Sequence, residues 1–436
     1  MKSTLGTTIT IIAGITLVLT GLTGCGTDSN QPVLVTEVTV GLPPTYEEAH
    51  DFSEGLAWVK NKGKWGALDL DFNQVIDFVY DDVLDFSEGR AAVKVGGLWG
   101  FVDQQGNLTT EIIYSAAKSY SEGLAAVAQW EVVLPDNGVI DLDRFASVPD
   151  ILEADELPSV FGPGVRQIGI FGFIDLGGEE VIPQKYRMAA SFEGGVGAVQ
   201  LWDGNIDSQS KPWVLINAQG EIVKELPYSS IHISAFHEGR LGVGIDDGDD
   251  TLWGFVDSSG SEIVRPQYGK IYAYDGGLAG VVNVERTGLG LVDPGGDLVV
   301  PLDYQGLRWD GDESELIAAT KGDLWGYVDR TGKEILVFVY DDAHSFKNGR
   351  ALVSRDGRYL IIDETGAEVA TTHHEYEEAT AFDEGVAIVT RQGLKGCLNI
   401  QGEEILAPSF DEISEFHEGR AVMIKDGQAG FLSISK

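Results

Sequence analysis

An all-β array of tandem repeats is the fold class this sequence predicts, and three observations predict it. The phrase FSEG stands at Phe52 and again at Phe86, and SEG follows Tyr120, so that Gly55, Gly89 and Gly123 are spaced 34 residues apart. Echoes at Gly195, Gly239, Gly277, Gly349, Gly385 and Gly419, with a degenerate copy around Glu315, bring the array to about ten units of 34 to 44 residues. Between these marks Val, Ile, Tyr, Phe and Trp alternate with Gly and Asp, a strand pattern with turn punctuation and almost no helical periodicity. Units of this length cannot bury an apolar face alone and stack on their neighbours. Ten units exceed the usual four to eight blades of one ring, so we expect an open curved stack; the alternative is one or two closed β-propellers.

Residues 1–24 read as a bacterial lipoprotein signal peptide. Lys2 supplies the positive start, Ile9 to Leu22 the apolar run, and Leu22-Thr23-Gly24-Cys25 ends it. This stretch resembles a lipobox, which implies that Cys25 becomes the lipidated first residue. Lipid chains bind a bilayer by burying methylenes, at about 0.8 kcal/mol each. Residues 25–45, rich in Thr, Ser, Asn, Gln and Pro, read as a flexible tether.

Residues 46–436 hold the repeats. Arg90 to Val95 alternates as a strand, Gly96-Gly97 supplies a two-residue turn, and Leu98 to Asp103 returns. Asp356-Gly357 and Asp426-Gly427 serve other copies as the same turn. Trp99 and Phe101 face one side and Leu98 and Val102 the other, so both faces are apolar and each is expected to be covered. Gly100, between two rings, implies close approach of another backbone. Asp103 followed by Gly106 marks a second turn capped by the Asp side chain, recurring at Asp175, Asp257, Asp293, Asp329 and Asp363.

The pairs Trp65-Gly66, Trp99-Gly100, Trp253-Gly254 and Trp325-Gly326, in phase with the FxEG and Asp-x-x-Gly phrases, resemble the WG repeat family of bacterial proteins. The resemblance implies a repeat scaffold and no reaction. Phe171-Gly172, Leu289-Gly290 and Lys395-Gly396 keep the glycine and lose the Trp; Trp213 keeps the ring. An acidic insertion over residues 131–166 interrupts the third hairpin and is expected to project from the array.

Chemistry-bearing residues fall into repeat positions. His237 and His417 occupy the variable FxEG slot that elsewhere holds Ser53, Ser87, Lys347 or Asp383. His373 and His374 sit in a polar loop beside Glu375, Glu377 and Glu378. Asp69, Asp71 and Asn73 imitate a calcium loop, but Gln74 stands where that loop needs Gly and Tyr80 where it needs Glu. Asp246, Asp247, Asp249 and Asp250 crowd one hairpin tip. Cys397 takes the apolar slot of Phe101 and reads as a buried, inert thiol. No catalytic constellation, metal site or cofactor is expected.

With 30 basic against 69 acidic residues the chain carries a net charge of −39, which repels nucleic acid and anionic headgroups. The function expected is a non-enzymatic, extracytoplasmic lipoprotein of the bacterial cell envelope. Its partners would be the membrane, through lipid, and a protein, glycan or cell-wall polymer. The alternatives are a divergent envelope hydrolase with carboxylates gathered from several repeats, and a cation-binding surface protein.

Overall fold

The computed structural model describes residues 34–133, 139–140, 166–203, 212–248, 250–309, 311 and 314–435. Cys25 and most of the acidic insertion lie outside them. Among the described residues the chain is all-β, with no helix. It forms seven four-stranded antiparallel sheets, one three-stranded sheet, and one eight-stranded sheet that joins two repeats through the shared strand Glu180–Ala189.

The first repeat shows the pattern. Strand β1 (Glu37–Tyr46) belongs to the far end of the chain and is taken up below. The repeat itself consists of a short inner strand β2 (Glu48–Ala49), then β3 (Leu56–Asn61), β4 (Lys64–Asp69) and an outer strand β5 (Gln74–Tyr80), paired in that order. Three turn types connect them. The FxEG turn joins inner to second strand, with Glu54 and Gly55 both at positive φ (52° and 81°) and Ser53 bridged to Leu56. The tip between β3 and β4 is Lys62-Gly63, also at positive φ, as are Gly96-Gly97, Asp356-Gly357 and Asp426-Gly427. The β4–β5 turn is capped by Asp69, whose Oδ1 accepts the amides of Asp71 and Asn73 at 3.0 and 2.8 Å. Asp103, Asp175, Asn217, Asp257, Asp293, Asp329, Asp363 and Asn399 do the same in their repeats. The Asn73 amide holds Asp69 below the usual aspartate value, and the hydroxyls of Thr331 and Thr365, with the turn amides behind them, do the same for Asp329 and Asp363.

The signature glycine has a physical reason. The outer strand bulges opposite it, with the register shifting between Trp65 and Ala67. A Cβ on Gly66 would lie 2.7 Å from the Ile76 carbonyl oxygen, and one on Gly100 or Gly326 would lie 2.8 Å from that of Glu111 or Leu336. The backbone of the outer strand crosses where a side chain would stand.

Both faces of each sheet are covered, because every apolar cluster among the described residues is shared by two successive repeats. Trp58, Trp65 and Ile76 of the first pack on Phe86, Ala91 and Val102 of the second. The same sharing continues repeat by repeat to Ile388, Cys397 and Phe410 against Phe416, Met423 and Leu432. Phe52, Val59 and Leu68 of the first repeat then pack on Val422, Ala429 and Phe431 of the last.

The curved stack expected from the sequence is there, and its two ends meet, as in the alternative arrangement. Strand β1 is the outer strand of the final sheet, paired antiparallel with Gln428–Ser435 from Glu37↔Ser435 to Tyr46↔Ala429. Residues 37–45, read from sequence as the end of a tether, are thus part of a strand. The outer strand of the final sheet is β1, whose Val38 and Leu42 make apolar contacts to the last and first cores.

The third hairpin pairs through Val133↔Arg166, so both ends of the stretch read as insertion are strand. Residues 134–138 and 141–165 lie outside the described residues.

The FxEG glutamates tie neighbouring repeats together. The Glu54 carboxylate accepts the amides of Glu88 and Gly89 in the next turn at 2.7 and 2.8 Å. Glu88 accepts from Gly123, Glu122 from Gly194 and Gly195, Glu238 from Gly277, and Glu384 from Gly419. In the fourth repeat Gly194 holds the glutamate position, and Glu193 one residue earlier reaches Gly239 instead. Glu418 closes the circuit on Gly55 at 2.9 Å. The Ser slot adds a second tie, as Ser53, Ser87 and Ser121 donate to the carbonyls of Phe86, Tyr120 and Phe192.

Candidate functional site

The signature Trp is less buried than its recurrence suggests. Trp65 is buried, but Trp99, Trp253 and Trp325 are half-exposed. The fully buried ring is two residues on: Phe101, Phe255 and Tyr327. The reason is position, since the Trp begins its strand beside the open hairpin tip.

A side chain from the repeat's own inner segment covers the Trp. The His50 ring lies 4.6 Å from that of Trp65 and the His232 ring 5.9 Å from that of Trp253, while the Arg308 guanidinium stacks on Trp325 at 4.2 Å. Lys60 and Lys94 add ammonium groups over Trp65 and Trp99 at 5.4 and 5.3 Å. Arg308 is in turn fixed by Asp342 at 2.7 Å. Burial opposes the Asp342 charge, but His344 and Arg308 outweigh it and hold the carboxyl at about 2.

Among the described residues, cavities open at this slot in the sixth and fourth repeats. In the sixth, Leu289 stands where the Trp belongs, and Tyr272 occupies the covering position. The result is an open cavity of about 560 Å³ lined by Lys270, Tyr272, Arg286, Thr287, Tyr304 and Gln305 among others. Tyr272 is 42% exposed. The Lys270 ammonium lies 4.3 Å from its ring centre and donates to its hydroxyl at 2.9 Å. Arg286, at a left-handed φ of 58°, stands at the tip, its guanidinium 3.7 Å from Asp250.

In the fourth repeat the Trp is kept as Trp213, but the covering position is Ala190. A smaller cavity of about 240 Å³ opens there, lined by Lys118, Met188, Ala189, Ala190, Gln200, Trp213 and Ser230 among others. Burial pushes the Lys118 ammonium below the usual lysine value.

The residues singled out from sequence do not gather at either cavity. His417 is exposed and His237 half-buried in their FxEG turns. His373 and His374 are exposed, and neighbouring Glu377 accepts the hairpin-tip amides of Gln392 and Gly393 at 2.8 and 3.0 Å. Asp69 is engaged by its own turn. Asp247 and Asp250 face each other across their hairpin tip, and Arg286 of the next repeat is the cation beside them. Cys397 is fully buried, and burial pushes its thiol up. Tyr272, Lys270 and Arg286 were not legible as a group. The one signal was the loss of Trp at Leu289; the covering position is defined only by the strand register Ile271↔Val281.

The profile of a family described as WG containing repeat matches residues 39–65, 65–99, 99–129, 171–204, 253–283, 325–359, 361–394 and 396–428. No curated protein matches the chain. Among solved structures it is similar to a eukaryotic initiation factor at 9% identity and TM-score 0.48, covering 88% of this chain and 98% of that one. It is also similar to apo AztD from Citrobacter koseri at 12% identity and TM-score 0.33, covering 92% and 98%. The Dos1 propeller follows at 10% identity and TM-score 0.29, covering 92% and 95%. Similarity this low carries nothing about what the present chain binds.

Proposed function

The chain belongs to the WG-containing repeat family, and from that premise we propose that it is a non-enzymatic binding scaffold of the bacterial cell envelope, anchored through lipid on Cys25. Its repeats would hold a segment of glycan or cell-wall polymer in the cavity of the sixth repeat. The observation that carries this reading is the substitution of Leu289 for the signature Trp, which leaves Tyr272 facing a cavity of about 560 Å³. An exposed aromatic ring beside amide, hydroxyl and cationic groups suits a polyhydroxylated ligand. Lys270 and Arg286 favour one that bears acidic groups, in a chain whose net charge of −39 repels polyanions elsewhere.

Leu289→Trp tests the site by rebuilding the slot as the other repeats have it. The variant is expected to melt at or above the parent temperature and to lose co-sedimentation with purified cell wall by tenfold or more. A parent protein that never sediments with wall, or a variant that binds equally well, overturns the reading. For the anchor, Cys25→Ser is expected to move the protein from the membrane fraction to the soluble one. Unchanged retention on fractionation would refute lipidation at that residue.

A further inference from the structure

The cavity of the fourth repeat differs in chemistry from that of the sixth. Its walls come from three successive repeats: Lys118 from the third, Met188, Ala190 and Trp213 from the fourth, and Ser230 and Ile231 from the fifth. Trp213 is 7% exposed, so one part of the wall is a fixed indole. Ala190 removes the side chain that covers the ring elsewhere. Lys118 occupies the covering position of its own repeat, where Phe171 replaces the Trp, and it also lines the neighbouring cavity.

The Lys118 ammonium makes no hydrogen bond or ion pair among the described residues, although the chain has 69 acidic side chains against 30 basic ones. A half-buried cation without a counter-ion beside apolar walls favours an anion that brings its own apolar body.

We propose that this cavity binds a small organic monocarboxylate with a flat apolar body, its carboxylate on Lys118 and its ring against Trp213. At about 240 Å³ the space is smaller than the sites that hold drug-sized ligands, roughly 300 Å³ and upward. One lysine and the Ser230 hydroxyl match a single carboxylate. A phosphate dianion needs a larger set of donors, usually including a guanidinium fork, and the charge of the chain disfavours it. The proposal is independent of the glycan reading, since the two cavities share no residue.

Titration calorimetry on the intact repeat array with benzoate, and with benzamide as its neutral counterpart, tests it. Benzoate is expected to bind saturably and at least tenfold more tightly than benzamide. Lys118→Met keeps the stem and removes the charge, and should reduce benzoate to the benzamide level. Ala190→Leu restores a covering side chain and should weaken both ligands at least tenfold, with melting curves confirming that each variant is folded. Absence of saturable benzoate binding, equal affinity for the two probes, or a Lys118→Met protein that binds benzoate undiminished each overturns the proposal. Should Ala190→Leu fail to fold, the Lys118→Met comparison decides.

Discussion

Glu54, Glu88, Glu122, Glu238, Glu384 and Glu418 all hold a left-handed backbone, with φ between 44° and 55°. For a non-glycine residue that conformation costs about 1–3 kcal/mol. Asn or Gly would occupy it with less strain. Glutamate is explained by reach: its carboxylate spans to the amides of the next turn. A hydrogen bond to a charged group contributes about 1.5–3 kcal/mol when shielded, and less on an exposed rim. Glu88→Asn sets the two effects against each other, since Asn tolerates the turn and is too short to reach Gly123. The variant is expected to lose about 0.5–1.5 kcal/mol in urea unfolding. Equal or greater stability would show that the tie to Gly123 does no more than offset the strain that Asn relieves.

At the scale of elements, the hairpins and their turns were legible because they are written locally. Gly96-Gly97 and Asp426-Gly427 can hardly be anything but positive-φ turns, and Asp103 caps the amides two and four residues ahead. The close approach expected at Gly100 is the bulged outer strand passing over it. What local pattern could not show was burial order. Trp99 is the largest side chain of its strand, yet Phe101 is the one enclosed, because depth depends on distance from the hairpin tip. The bounds of the short inner strands depend on pairing in the same way. Glu48–Ala49 is too short to show alternation and is a strand only because β3 pairs with it. The cavities follow the same rule. Leu289 was visible as a departure from the repeat, but the presence of Tyr272 opposite it depends on register across strands.

At the scale of the molecule, the decisive element is β1. It supplies the outer edge of the final sheet, and its side chains enter both the last core and the core that joins last repeat to first. A protein lacking residues up to Tyr46 would expose the whole edge of Gln428–Ser435, a template for pairing with another chain. We expect it to lose at least about 3 kcal/mol of stability and to associate with rising concentration in size-exclusion chromatography. A truncated protein that stays monomeric and melts as the parent does would show that the first and last repeats hold together without the strand.

That strand also sets a timetable. Glu37 leaves the ribosome long before its partner Ser435. At translation rates of about 5–20 residues per second, the roughly 400 residues between them take some 20–80 s. For that interval Val38, Val40 and Leu42 have no sheet to join, while the intermediate repeats can already stack one upon another. Closing so long a loop is entropically slow. The docking of β1 must therefore wait for Gln428–Ser435, and a chain awaiting it has two unpaired strand edges that fit those of its neighbours as well as its own.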